Sequence, residues 1–174
     1  MCSAVDMLKI AGQTGNNYTG VTIGGFEVSQ NNYIAAVSTI DQSNTNSTKR
    51  DVMLLITDKK DSKNVKQVNI TNYANSTEDL SASKPYIVKL PNENYMLLWE
   101  VFAEGSSRNM EVKIVDENGN ISKELTVSTT FMGMLSSDCQ PICINDKVVW
   151  YTNGVSPNSE PERTFYKLDF HAKN

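Results

Sequence analysis

Histidine is almost absent from this chain of 174 residues, which contains one, His171, among its last four positions. Nucleophilic catalysis most often needs a histidine base beside the nucleophile, and many zinc sites need imidazole ligands. A residue so close to the end of the chain is typically a solvated tail residue. The sequence therefore excludes a catalytic triad and a histidine-based zinc site.

Long apolar runs are also missing, since no stretch approaches the 18 or more apolar residues that a membrane helix requires. The first residues show neither the basic nor the apolar region of a signal peptide. The net charge of −4 is spread evenly, which gives no basic surface for nucleic acid or anionic lipid. We predict no nucleic-acid partner and no membrane insertion, and the compartment stays open.

Cysteine is scarce, with three residues in all: Cys2, Cys139 and Cys143. Cys139 and Cys143 have a C-x3-C spacing, but zinc would need two further ligands. On an extended strand, positions four apart lie about 13 Å from one another, too far for a disulfide. We predict thiols in the sheet core, and no disulfide framework or metal site.

The abundant residues favour strands and turns. Val, Ile and Thr number 15, 11 and 14, whereas Leu and Ala number 10 and 8. β-Branched side chains pack well in sheets and lose rotamer freedom in helices. The 19 Asn and 17 Ser residues favour turns because their side chains bond to nearby backbone. The composition predicts an all-β fold with many short strands.

Internal repeats are the strongest signal. One hairpin type has an apolar opening, with Lys at its second position in three of four copies, followed by a polar turn and an apolar–polar–apolar close. Its copies begin at Leu8, Leu54, Val112 and Tyr166, and the first is expected to close with Val21–Ile23. A second hairpin type lies between these copies, and its segments are Phe26–Val37, Tyr86–Glu100 and Gln140–Tyr151. Trp99 and Trp150 occupy the same position in two of its copies.

Four antiparallel strands per unit, repeated at about 50 to 60 residues, is similar to the blade of a β-propeller. The chain resembles bacterial-type propeller repeats, without a WD40 or kelch signature. The resemblance implies about three antiparallel four-stranded blades, and a β-sandwich is the alternative fold. The predicted units are a partial blade (1–23), two blades (24–80 and 81–130) and a second partial blade (131–174).

Three blades do not close a ring, because closed propellers usually have four to eight. We expect residues Tyr18–Ile23 to supply the outer strand missing after Phe170. The uncovered faces predict either self-association of copies or attachment to the remainder of a longer chain.

Acidic residues are the candidates for glycoside hydrolysis, which uses two facing carboxylates. Those nearest to inner strands or strand ends are Glu27, Glu93, Glu100 and Glu104. None has a distinctive sequence context, so the sequence assigns no catalytic residue, and solvated strand ends explain them equally well.

Asp116, Asn118 and Asn120 alternate oxygen-bearing side chains as calcium loops do. However, Gly119 is at the fourth position of this segment instead of the sixth. A turn in which Gly adopts a positive φ explains the same residues, so no metal or cofactor is assigned.

Trp99 and Trp150 are expected in the core between blades, since large rings supply much of the apolar burial between sheets. Exposed rings would instead indicate a platform for stacking sugars. Five N-x-S/T sequons begin at Asn17, Asn46, Asn69, Asn75 and Asn120, about the number that this composition produces by chance.

The sequence favours a non-enzymatic binding or scaffolding module for protein or carbohydrate recognition. Loops on a rigid scaffold commonly carry recognition, and here the variable loops are residues 41–50, 72–84, 104–109 and 154–163. The alternative is a fragment of a propeller-fold carbohydrate-active enzyme, a glycoside hydrolase, with catalytic residues partly outside this chain.

Overall fold

The fold is all-β, in a computed structural model that describes residues 4–8, 21–40, 49–103, 109–128, 135, 139–155 and 161–170. These residues form twelve strands in three antiparallel sheets, together with one turn of 3₁₀ helix, Tyr73–Asn75. Among the described residues, no helix is long and apolar enough to span a membrane.

The first sheet has the strand order β1-β2-β3-β4 and follows the order of the chain. Its strands are β1 (Val21–Val28), β2 (Asn32–Ile40), β3 (Arg50–Asp58) and β4 (Val65–Asn69). The turn between β1 and β2 is polar, and the Ser29 hydroxyl accepts hydrogen bonds there from the backbone N–H groups of Asn31 and Asn32.

The second sheet repeats this pattern, except that its first strand is divided into two short segments. Its strands are β5 (Leu80–Ala82), β6 (Tyr86–Lys89), β7 (Tyr95–Ala103), β8 (Asn109–Val115) and β9 (Ile121–Ser128). Both β5 and β6 pair with β7, and Pro85 lies in the interruption between them. Proline lacks the N–H that a continuous ladder would need, so a break at this position is expected.

The third sheet contains β10 (Ile142–Ile144), β11 (Lys147–Val155) and β12 (Pro161–Asp169) in that order. The two-residue turn between β10 and β11 places Asn145 and Asp146 at positive φ, a conformation that Asn and Asp tolerate better than most residues.

The sheets are stacked face to face, with the second sheet in the middle. One apolar core joins the first and second sheets, and its members include Ile34, Leu54, Leu97 and Trp99. The other core joins the second and third sheets and includes Met96, Val112 and Trp150. Because β7 is buried on both faces, its sequence is a nearly continuous run of apolar residues. This arrangement is that of propeller-like blades.

The first strands of neighbouring sheets, β1, β6 and β10, lie side by side. Two glycines allow the close approach of β1 to β6. A Cβ on Gly24 would lie 1.6 Å from the carbonyl oxygen of Pro85, and a Cβ on Gly25 would lie 2.9 Å from Ile87. Gly24 is at an irregularity in the β1–β2 register, where β1 gains an extra residue.

The structure corrects the expected position of Val21–Ile23. These residues form the start of β1 and pair with Val37–Thr39, and among the described strands they do not lie beside β12. The boundary predicted between residues 23 and 24 therefore falls inside a strand. A strand of alternating apolar and polar residues has the same sequence pattern whichever strand it pairs with. The repeat pattern therefore assigned Val21–Ile23 to the wrong position. Residues 9–20 are outside the described part.

Candidate functional site

A cleft of about 410 Å³ opens between the first and second sheets, at the end where β1 and β3 begin. The first sheet contributes one wall and the β5–β6 interruption contributes the other. The lining residues are Thr22, Ser38, Arg50, Ser81, Ala82, Ser83, Lys84 and Phe102. The lining thus combines four hydroxyl groups, two cationic side chains and one aromatic ring.

Hydrogen bonds position the residues that line the cleft, and one of them links its two walls. The Arg50 guanidinium donates from Nη1 to the Thr22 hydroxyl at 2.9 Å, within the first sheet. The backbone N–H of Arg50 donates to the Ser81 hydroxyl at 3.0 Å, which links the two sheets. The Ser83 hydroxyl accepts from the backbone N–H of Glu100 at 2.9 Å. The cleft is therefore built by residues distant in sequence.

Ser38 lies at the floor of this cleft and is almost completely buried, with 1% of its surface exposed. Its hydroxyl has no hydrogen-bond partner among the residues that the structure describes. A buried hydroxyl without a partner is unfavourable, since it has lost its water without replacement. An oxygen of a ligand or water molecule that reached the floor would supply the missing partner.

The predicted acidic candidates do not converge. Glu27 accepts a hydrogen bond from the backbone N–H of Lys89 at 3.2 Å, and the ammonium of Lys89 pairs with Glu93 at 2.9 Å. Hydrogen bonding to Glu93, opposed by partial desolvation, raises the pKa of Lys89. These contacts join β1, β6 and the following turn, so they fit a structural role. Glu104 lies outside the described residues.

Glu100 is in a different place, in β7 on the face toward the third sheet. It is 7% exposed, and its Oε1 accepts a hydrogen bond from the backbone N–H of Leu135 at 3.4 Å. Glu100 follows Trp99 in β7, and Ser38 occupies the equivalent place in β2. Ser38 therefore lies between the first and second sheets, whereas Glu100, at the same repeat position, lies between the second and third.

The segment Asp116–Asn120 forms a turn stabilised from within. The Asp116 carboxylate accepts from the backbone N–H groups of Asn118 and Asn120 at 2.8 and 2.9 Å, and from the Asn120 amide at 2.7 Å. Although desolvation acts in the opposite direction, these hydrogen bonds lower the pKa of Asp116. Gly119 has a φ of 84°, so the turn interpretation is confirmed.

Cys139 and Cys143 are free thiols that pack against the core between the second and third sheets. Burial, with a smaller contribution from Asp146, raises the pKa of the Cys143 thiol, which favours the unreactive protonated form. In the described ranges, no three His, Cys, Asp or Glu side chains form a group able to hold a metal ion. Cys2 and His171 are outside those ranges.

Trp99 and Trp150 are both buried between sheets, so the prediction of a core role is confirmed. Trp99 faces the first sheet, and Trp150 faces the second and stacks on Tyr166 with a centroid separation of 5.3 Å. Each ring thus lies in the second long strand of its hairpin and faces the preceding sheet.

Of the loops predicted to carry recognition, residues 72–84 are described and contribute Ser81–Lys84 to the cleft. Part of that segment is strand β5 instead of loop. Residues 41–48, 104–108 and 156–160 are outside the described part. No sequence motif marks Thr22, Ser38 or Arg50, although Arg50 is the last residue of the predicted loop 41–50; the equivalence of Ser38 with Glu100 is the one signal from the repeat.

Comparisons with known proteins support the fold. No family model matches the chain, and a search of curated proteins found no match. Among solved structures, the chain is similar to an α-L-arabinanase of Penicillium chrysogenum complexed with arabinobiose, a five-bladed β-propeller. The TM-score is 0.51 at 17% identity, over 72% of this chain and 37% of that one. The chain thus spans little more than a third of the arabinanase.

Proposed function

We propose that this chain supplies three blades of a carbohydrate-active propeller of the glycoside hydrolase type. The observation that carries the proposal is the likeness of its stacked antiparallel sheets to a propeller solved with a bound disaccharide. A likeness of fold leaves the activity open, so the proposal also depends on the chemistry of the cleft.

The cleft between the first and second sheets suits a sugar. Sugars carry many hydroxyl groups, and the Ser and Thr hydroxyls of the lining can both donate and accept hydrogen bonds. Arg50 and Lys84 supply further donors, and Phe102 offers an apolar surface to the C–H face of a ring. The buried Ser38 hydroxyl would gain its first partner from a sugar oxygen.

Hydrolysis requires two carboxyl groups about 5 to 10 Å apart on either side of the glycosidic bond. Among the described residues, no acidic side chain lines the cleft, and Glu27 and Glu93 are both engaged with Lys89. Under the hydrolase proposal, at least one catalytic carboxylate belongs to a part of the protein beyond the described residues.

A second candidate function is glycan binding without hydrolysis. The observation that favours it is the same scattering of acidic side chains over the described residues. Under this candidate, the blades form a scaffold and the cleft recognises a saccharide that the protein does not cleave.

Arabino-oligosaccharides titrated into the ¹⁵N-labelled chain would test both candidates, with NMR shifts measuring binding and reducing-end release measuring hydrolysis. We expect saturable shifts at the cleft. We also expect about tenfold weaker binding in the Lys84→Gln and Phe102→Ala variants. Lys60→Gln, in the exposed turn after β3, is the matched control and should bind normally.

Binding together with release of reducing ends would support the hydrolase candidate. Binding without release would support the glycan-binding candidate and overturn the hydrolase candidate for this chain. The absence of saturable shifts with arabino-oligosaccharides, or shifts unaffected by the cleft variants, would overturn both.

A further inference from the structure

The two terminal sheets each have an outer face on which apolar side chains are exposed. The leading outer face, on the first sheet, carries Ile23, Phe26, Val28 and Tyr33. The trailing outer face, on the third sheet, carries Ile142, Ile144, Tyr151 and Phe165. The most exposed of these side chains are Ile23, at 71%, and Phe165, at 67%.

Aromatic contacts organise both faces. On the leading outer face, the rings of Phe26 and Tyr33 stack with their centroids 6.1 Å apart. On the trailing outer face, Tyr151 and Phe165 are direct partners in the β11–β12 register. Exposed clusters of apolar side chains on a soluble protein commonly mark an interaction site.

The leading outer face corresponds to the face of the second sheet that packs against the preceding sheet. In the second sheet, Tyr95, Leu97 and Trp99 pack against the preceding sheet. The equivalent residues of the first sheet, by alignment of their hairpins, are Tyr33, Ala35 and Val37, on the leading outer face, where Tyr33 is 41% exposed and Val37 is buried. This face is therefore of the kind that receives a preceding blade.

The trailing outer face is of the opposite kind. Met96 and Leu98 of the second sheet pack against the following sheet. Their counterparts on β11 are Lys147 and Val149, on the side that also includes Tyr151 and faces away from the second sheet; Lys147 pairs with Asp169 there at 3.6 Å. One chain thus exposes apolar side chains on both kinds of blade face.

We propose that a second copy of this chain covers both outer faces. The leading outer face of each copy packs on the trailing outer face of the other, in two equal contacts related by a twofold axis. Two copies of three sheets give a ring of six, within the four to eight blades of closed propellers. Closed twofold symmetry is also the commonest arrangement of soluble oligomers.

Sedimentation equilibrium on the intact chain tests the proposal. We expect a dimer of about 39 kDa, twice the 19.3 kDa of one copy. The Phe26→Asp and Phe165→Asp variants, one on each outer face, should each sediment as monomers with an unchanged far-UV circular dichroism spectrum. Ile121→Asp is the matched control, because Ile121 is 41% exposed but belongs to the second sheet.

Mixing the two variants distinguishes this ring from a dimer in which the same outer face of each copy contacts its counterpart on the other copy. A mixed pair retains one undamaged leading-to-trailing contact, so the mixture should associate at least about tenfold more strongly than either variant alone. Equal association of the mixture and the single variants, or loss of the dimer in one variant only, would overturn the ring. A monomeric wild-type chain would also overturn it and would leave a further segment of polypeptide as the occupant of these faces.

Discussion

The indole N–H of Trp99 donates a hydrogen bond of 3.0 Å to the hydroxyl of Tyr73. Trp99 is in β7 of the second sheet, whereas Tyr73 is in the 3₁₀ turn that follows β4 of the first. Both side chains are buried in the core between these sheets, and burial raises the pKa of Tyr73, so its hydroxyl stays neutral. This hydrogen bond therefore connects two blades inside an otherwise apolar contact.

Tyr73→Phe should destabilise the fold, because it leaves the Trp99 N–H buried without a partner. The expected loss in free energy of unfolding is about 1 to 3 kcal/mol. Urea unfolding followed by circular dichroism would measure it. Tyr151→Phe removes an exposed hydroxyl and should change stability by less than about 0.5 kcal/mol. Equal effects of the two substitutions would contradict the importance of this hydrogen bond.

Asp51 should be similarly sensitive, because its carboxylate organises the segment that leads to Tyr73. It accepts hydrogen bonds from the Thr71 hydroxyl and from the backbone N–H groups of Tyr73 and Ala74. Asp51→Asn replaces one acceptor oxygen with a donor and should cost about 1.5 to 3 kcal/mol in the same unfolding measurement. Asp61→Asn, in an exposed turn, is the control. A loss no larger than that of the control would refute this role.

Gly24 and Gly25 should tolerate alanine to different degrees. A Cβ on Gly24 meets a backbone oxygen at 1.6 Å, whereas a Cβ on Gly25 meets Ile87 at 2.9 Å. Because a contact at 1.6 Å requires a much larger shift of the backbone than one at 2.9 Å, we expect Gly24→Ala to lose at least about 2 kcal/mol. Gly25→Ala should lose less. Thermal unfolding of both variants would check the order, and the reverse order would show that β1 and β6 are not packed this closely.

The repeat pattern in the sequence predicted the all-β fold and the position of the paired tryptophans, because hairpins are local structures. Alternation, turn residues and a positive-φ glycine lie within a few positions of one another, as in the turn at Gly119. The assignment of Val21–Ile23 failed for the complementary reason. Which strand they pair with is decided by contacts with β2 and by the approach of β1 to β6, neither of which the local residues specify.

The cleft could not be predicted from the sequence, since its lining comes from six separate strands or connections. Thr22, Arg50 and Lys84 belong to no motif, and only the stacking of two sheets brings them together. Ser38 is the partial exception. Ser38 occupies the repeat position directly after that of the tryptophans, so its location at a contact between blades could be expected. The lack of a hydrogen-bond partner for its hydroxyl among the described residues could not.

The stability of the contact between the first two sheets should depend on pH through Glu117. Its Oε1 accepts a hydrogen bond from the Asn31 amide at 3.0 Å, and hydrogen bonding from Ser29 and Asn31 lowers the pKa of Glu117. A carboxyl group with a lowered folded-state pKa stabilises the fold above its unfolded pKa, near 4.5. That contribution disappears as the pH falls through the lower folded-state value.

Asn31→Ala should therefore weaken the acid sensitivity of the fold, because the pKa of Glu117 moves back toward its ordinary value. Urea unfolding from pH 7 down to pH 3 would show a smaller fall in the free energy of unfolding for Asn31→Ala than for the wild type. The two proteins should differ most at pH 7 and converge at the acid end, where Glu117 is protonated in both. Gln30→Ala, an exposed neighbour in the same turn, should follow the wild-type profile. Parallel profiles for Asn31→Ala and the wild type would show that this contact does not respond to the ionisation of Glu117.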